Sequence, residues 1–348
     1  MRKFDYTFLK NISIDSQIMM SASYIEAMKT DVLNKKLRHS NLFECLVSIA
    51  KIRSVKSSNE IEGIVSTDKR ITAIVNGMGE PISHDEQEIA GYRDALKIIH
   101  ENYDQISFSE RDILSLHSVL LSYAKSPHRG QYKQNDNLIV AVSNDGVRSV
   151  RFRPLSAFET EEGMEQLVLA YLDARDNASI NPLLLIPCVI LDFLCIHPFM
   201  DGNGRISRLL SLLLLYQGGY DVGKYVSFEG MINDHKDEYY EALQKSSLDW
   251  EDNQNNYVPF IRNFLRTLEL CYQDLEKRFI GINKGIMSKE KRIIDIVLNS
   301  LLPLSKKDIH DLLPDISVST IERVLAVLLK QNKIIKRGTF KDARYQRK

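Results

Sequence analysis

A chain of 348 residues with 46 basic and 46 acidic side chains is formally neutral, so the whole molecule has no electrostatic bias toward nucleic acid or membrane. Its length predicts two or three domains and a core that needs neither disulfides nor metal. Four cysteines (Cys45, Cys188, Cys195, Cys271) show no CxxC or CxxH spacing, and three of them sit in apolar helical patterns. That usage points to a reducing compartment. The first residues contain no apolar h-region, and the longest apolar run, near Leu209–Leu215, is far short of the roughly 20 residues that span a bilayer. A soluble, cytoplasmic protein without a membrane partner is therefore expected.

Residues 1–40 are mixed, with helical spacing around Ile18–Met28. From Asn41 to about Glu62 the apolar positions Leu42, Cys45, Leu46, Ile49, Ile52 and Val55 recur with helical period, and Gly63 stands where a C′ glycine would end the helix. Further helices are predicted over Glu86–Ile99 and from Ser109, a plausible N-cap, to about Ser122. The only clear β signal follows. Leu138–Val142 and Val147–Phe152 flank Asn144-Asp145-Gly146, which reads as a hairpin turn. A lone hairpin is marginal, so it must lie on a helical body. Helices are then expected at about 159–174, 183–196, 205–217, 235–247 and 255–279. Gly281–Lys289 reads as a linker. Beyond it, helices near 289–300, 305–312 and 317–331 precede two short strands around Gly338, the layout of a winged helix over 289–348.

The densest chemistry lies in His197-Pro198-Phe199-Met200-Asp201-Gly202-Asn203-Gly204-Arg205-Ile206-Ser207-Arg208, a polar, glycine-broken turn between two apolar helices. Such a turn cannot pair all its backbone groups through regular structure, and it is usually kept for a ligand. Gly202, Asn203 and Gly204 precede a helix, so their N–H groups can face an anion at its N-terminus. Arg205 and Arg208 lie about one turn apart, and their guanidinium forks suit phosphate oxygens. Asp201 beside a phosphate needs a cation between them, which suits Mg²⁺. His197 is the nearby group able to accept a proton at neutral pH. A lone GNG is usually a turn, and a lone histidine in an apolar stretch is usually a core residue. Their conjunction within one short stretch favours phosphoryl or nucleotidyl transfer.

At every defining position this stretch resembles the HxFx(D/E)GNGRxxR signature of the Fic/Doc family of adenylyl transferases. The wider resemblance runs from about Ser58 to Leu268 and includes Glu88-Ile89-Ala90-Gly91-Tyr92, the Leu116-His117 helix and the hairpin. It implies an all-α, Fic-type helical bundle with one β-hairpin flap, here followed by a small α+β winged helix. It divides the chain into an N-terminal helical region (1–100) carrying an inhibitory helix at about 42–63, a catalytic core (101–280) and the C-terminal module. The implied activity moves AMP from ATP onto a Ser, Thr or Tyr hydroxyl of a target protein docked along the hairpin 138–152. His197 would take the hydroxyl proton and Asp201 would hold Mg²⁺ on the α- and β-phosphates. The Gly202–Gly204 backbone with Asn203 would form the anion hole. Arg205 would contact the phosphates, and Arg208 the γ-phosphate.

Ser58-Asn59-Glu60-Ile61-Glu62-Gly63 resembles the family's (S/T)xxxE(G/N) inhibitory motif, which implies that Glu62 pairs with Arg208 and holds ATP unproductively. In some relatives the same glutamate supports removal of AMP, so a reverse activity is implied as well. Tyr239 and Tyr240 resemble a pair that lies beside the adenine, although Ser247 stands where some relatives have asparagine. Arg323, Lys330, Lys333, Lys336, Arg337, Lys341, Arg344, Arg347 and Lys348 form a basic tract with only Glu322 and Asp342 against it. The tract suits duplex DNA phosphates through 317–348, with a solubilising tail or a protein-docking domain as the other reading, and the alternative reading of the whole chain is a nucleotide-sensing, DNA-binding transcriptional regulator. A homodimer is also among the expected assemblies, with no residues assigned to it.

Overall fold

The computed structural model describes residues 2–142, 148–177, 179–280, 288–300, 303–313, 315–338 and 343–348. Helices dominate them: α1 Ser16–Arg38, α2 Ser40–Ile61, α3 Asp68–Val75, α4 His84–Asn102, α5 Glu110–Leu120, α6 Ala157–Arg175 and α7 Pro182–Ile196. Then follow α8 Asn203–Gln217, α9 Phe228–Asp234, α10 Lys236–Ser247, α11 Val258–Ile280, α12 Lys289–Asn299, α13 Lys306–Leu312 and α14 Val318–Lys330. The strands are β1 Ile139–Val142, β2 Arg148–Phe152, β3 Leu304–Ser305, β4 Ile334–Arg337 and β5 Arg344–Arg347.

The centre is the α7–α8 pair, enclosed by α4, α5, α6 and α11. Every residue from Leu183 to Ile196 is buried, as is all of Arg205–Tyr216. Helix α7 is apolar on all sides and so belongs inside the core, while α8 is buried all round although it carries Arg205, Ser207, Arg208 and Ser211. Asn181 caps α7 through Leu183 N, and Pro182 occupies the first turn, where its missing N–H is harmless. Asp192 of α7 is buried among Tyr6, Trp250, Tyr257 and Arg2, all of which donate to it. This ties the N-terminal segment and α11's approach to the helix that ends at His197.

Helix α2 packs on α3, α4, α8 and α9, so the segment before residue 100 shares the core of the segment after it. Gly63 takes φ +80°, the left-handed conformation that ends α2. β1 and β2 pair antiparallel, with a register shift between Ile139 and Val140. The predicted turn at 144–146 and most of the 281–289 linker lie outside the described residues.

Three features go beyond the sequence-based expectation. Helices α3 and α9 are too short to show a period. The C-terminal sheet has three strands in the order β3-β5-β4, not two. β3 has two residues, and Ser305 is at once strand and N-cap of α13, in a capping box with Asp308, so no alternation could reveal it. Finally, α13 packs on α2. Cys45 of α2 sits at that contact. Burial pushes its thiol up to about 11, with Asp308 and Asp311 of α13 adding to the effect.

Candidate active site

The site begins where α7 stops. His197 caps α7 in the left-handed conformation (φ 52°, ψ 60°), which costs a non-glycine residue on the order of 1 kcal/mol or more. Its N–H still bonds Phe193 O at 3.0 Å, and its Nδ1 donates to Leu194 O at 3.3 Å. That assignment leaves Nε2 with its lone pair. Burial pushes the imidazole down to about 4, with the Leu194 contact opposing and the Lys133 ammonium adding to the fall. At neutral pH His197 is therefore an uncharged acceptor.

The chain then turns back through Gly202 (φ +85°), a conformation open to glycine at little cost, and α8 begins at Asn203. Asn203 closes the turn on itself: its Oδ1 accepts from Phe199 N (2.9 Å) and its Nδ2 donates to Phe199 O (2.7 Å). Asp201 Oδ1 accepts from Gly202 N (2.6 Å), while its carboxylate stays 66% exposed. Arg205 and Arg208 point from the first turns of α8 and are almost wholly buried. Arg205 pairs with buried Glu88 of α4 and reaches Asp201 at 3.2 Å. Its Nε has no hydrogen-bond partner among the described residues.

Arg208 faces the other way, toward the end of α2. Its Nε donates to Ser58 Oγ (2.8 Å) and its Nη2 to Ser58 O (2.9 Å) and Glu62 Oε1 (2.7 Å). Burial alone would lower the guanidinium's proton affinity, yet Glu62, Tyr92 and Tyr239 together raise it. The Glu62 carboxylate also lies against Gly204, where any Cβ would overlap Oε1. A carboxylate thus occupies the place at the α8 N-terminus where oriented N–H groups and an arginine favour an anion. Ser54, one turn before Ser58, donates to Glu229 Oε2 (2.7 Å), and Glu229 also accepts from Tyr92. Ser54, Ser58 and Glu62 therefore anchor one face of α2.

A cleft of about 170 Å³ runs past these groups, lined by His197, Gly204, Arg208 and Glu62 on one side and by Tyr239, Tyr240, Leu243, Gln244 and Ser247 of α10 on the other. Ile139 and Phe152, the paired outer residues of the hairpin, close its edge. Ser247 stands in the wall, with its hydroxyl donating to Gln244 O (3.1 Å). Thus His197, Gly204, Arg208, Glu62, Tyr239 and Tyr240, named from the sequence, share one cleft. Arg205 stands behind the loop on Glu88. Gly63 lies just past the helix end.

Sequence reasoning missed Ser54, Glu229, Lys133 and Asn137, and gave Glu88 and His117 no role. The i, i+4, i+8 spacing of Ser54, Ser58 and Glu62 is a signal that could have exposed the first. The others come from distant elements and leave no local trace. In the C-terminal tract the basic charge is partly spent internally: Arg323 pairs with Glu290 (2.7 Å) and Arg344 with Asp308 (3.2 Å). Lys341 and Asp342 lie outside the described residues.

Residues 107–215 match the Fic/DOC family model. Among curated proteins, the chain is 27% identical over 229 residues to a protein adenylyltransferase Fic of Nematostella vectensis, covering 63% of this chain and 47% of that one. It is 26% identical over 261 residues to protein adenylyltransferase fic-1 of Caenorhabditis elegans, covering 71% and 45%. The chain thus spans about half the length of the curated relatives it matches. Among solved structures, a Fic family protein from Desulfovibrio desulfuricans superposes with a TM-score of 0.62 at 21% identity over 97% of both chains. A Fic domain containing signaling protein from Bacteroides thetaiotaomicron gives 0.55 at 22% identity, over 75% of this chain and 97% of that one. These two likenesses concern the fold. The chain carries a Fic/DOC family domain, and the loop of His197 with the start of α8 lies inside it.

Proposed function

We propose that this protein is a protein adenylyltransferase, held in a resting state by Glu62 on Arg208. The observation that supports the reading best is the uncharged His197 sharing a cleft with Gly204 and Arg208 within the Fic/DOC domain. In the proposed reaction the target hydroxyl gives its proton to His197 Nε2. Its oxygen bonds to the α-phosphorus of ATP as the bond to the bridging oxygen of the β-phosphate breaks, and pyrophosphate leaves with that electron pair. Arg208 is the anchor for the terminal phosphate. With Glu62 on it, the triphosphate cannot take the pose that aligns the α-phosphorus with the hydroxyl. The extended hairpin β1–β2 at the cleft edge suits a target segment added as a further strand, and Tyr239 and Tyr240 suit the base.

Mg²⁺ fits these residues. Such an ion keeps most of its waters and needs one or two carboxylates beside the phosphates, and Asp201 offers an exposed carboxylate beside the α8 N-terminus. When bound, the ion would neutralise phosphate charge.

The test is incorporation of labelled AMP into protein in the presence of ATP and Mg²⁺. Label is expected with Glu62→Gly and abolished by adding His197→Ala. A Glu62→Gly protein that labels nothing, itself included, would overturn the reading.

A further inference from the structure

The mechanism above leaves unused a group of polar side chains behind the loop. Lys133 is 3% exposed, and among the described residues its Nζ meets no carboxylate. It donates to Ile196 O (3.0 Å) and Asn137 Oδ1 (3.0 Å), while the backbone N of the same residue donates to Pro198 O (2.8 Å). One residue therefore grips the chain immediately before and immediately after His197. Asn137 Nδ2 adds a bond to Phe199 O (3.1 Å).

His117 of α5 completes the set. It is fully buried, with its ring stacked on Phe199 at 3.8 Å between centroids and 10° between planes. Gly130 N donates to its Nδ1 (3.1 Å), so Nε2 carries the proton and donates to Asp201 O (3.1 Å). Four carbonyls of the loop, at 196, 198, 199 and 201, are thereby turned toward the protein. Carbonyl oxygens facing the cleft would repel phosphate, and a loop free to turn them would misplace His197.

A buried lysine whose ammonium touches only carbonyl oxygens is costly to keep, and burial pulls it down to about 8, with the Asp136 carboxylate opposing. A merely structural plug at this place would be better served by an apolar side chain. We infer that Lys133, with Asn137 and His117, forms a carbonyl-gripping cradle whose task is to hold His197 in its left-handed conformation for proton transfer. Lys133 is thus a positioning residue, not a catalytic one. The inference rests on the transfer reading above, and its test separates the two.

In the Glu62→Gly background, Lys133→Met keeps the aliphatic stem and removes the donor. Its kcat for AMP incorporation should fall about 100-fold, with the KM for ATP within about threefold, because a displacement near 1 Å has that effect on rate. His117→Phe, which keeps the stacked ring and loses both bonds, should act in the same direction and decides the matter if Lys133→Met does not fold. An unchanged kcat, or a loss confined to KM, overturns the inference. Hydrogen exchange provides a readout independent of activity. Peptides covering 196–202 should exchange faster in both variants while α4, α7 and α11 keep their protection. Unchanged exchange at 196–202, or loss spread over those helices, also overturns it. If the Glu62→Gly parent labels nothing, the transfer reading fails and the exchange data alone decide whether the cradle holds the loop.

Discussion

Arg205 and Arg208 leave the same helix less than one turn apart, and both are buried, but they are paired in opposite ways. Arg205 meets Glu88, whose side chain is 5% exposed and rooted inside α4, in its second turn. Arg208 meets Glu62, whose side chain is 33% exposed and which is the last residue before the left-handed Gly63. The first pair is dry and held from both ends by packed helices. The second hangs on the residue that caps α2, just past a last turn whose Ser58, Asn59 and Ile61 are buried, so the Glu62 side chain can withdraw while that turn stays packed. Burial of the arginine alone does not distinguish a structural pair from a releasable one. The partner's place along its own helix does.

The sharpest way to break this comparison is Glu88→Ala. It leaves the Arg205 charge buried with only the exposed Asp201 near it, and should lower unfolding stability by about 3–5 kcal/mol in chemical denaturation. A loss below about 1 kcal/mol would put the two arginines in the same class. Glu62→Gly should cost only about 1 kcal/mol, because Ser58 still satisfies Arg208 and the site is open to water, yet raise AMP incorporation about tenfold or more. Acid probes the loop between them. Burial holds His197 down to about 4 and the Glu62 carboxylate raises it, so in the Glu62→Gly background the imidazole stays neutral further into acid and the rate should be flat near neutrality. It should fall to half only at about pH 4 or below, where the imidazole is protonated and cannot accept. The smallest effect is expected at Arg323→Ala, which removes an exposed pair with Glu290 and should change stability by about 0.5 kcal/mol or less.

How much of this was legible in the sequence depends on which interactions are local. The helix ending at Gly63, the turn at Gly202 and the apolar helices around it follow from patterns a few residues long. The resemblance carried the pairing of Glu62 with Arg208, residues 146 positions apart in the chain. Glu88, Lys133 and Asn137 stayed without roles because their partners lie on other elements, and an isolated Lys or Asn in a loop reads as solvated. Asp192 and Glu229 are carboxylates inside the core, where their surroundings, not their own sequence context, explain them. β3 escaped because two residues have no period.

The contact of α13 with α2 places the C-terminal residues against the same helix that reaches the cleft. The helix that ends in Glu62 bears the module on its earlier turns, near Cys45. Suppose a ligand of the module shifts the balance between Glu62 seated on Arg208 and Glu62 withdrawn. Linkage then requires that the module's affinity for that ligand differ by a matching factor between those two states. A binding isotherm of the module's ligand, measured on the wild type and on Glu62→Gly, would therefore read the strength of the connection without any assay of transfer.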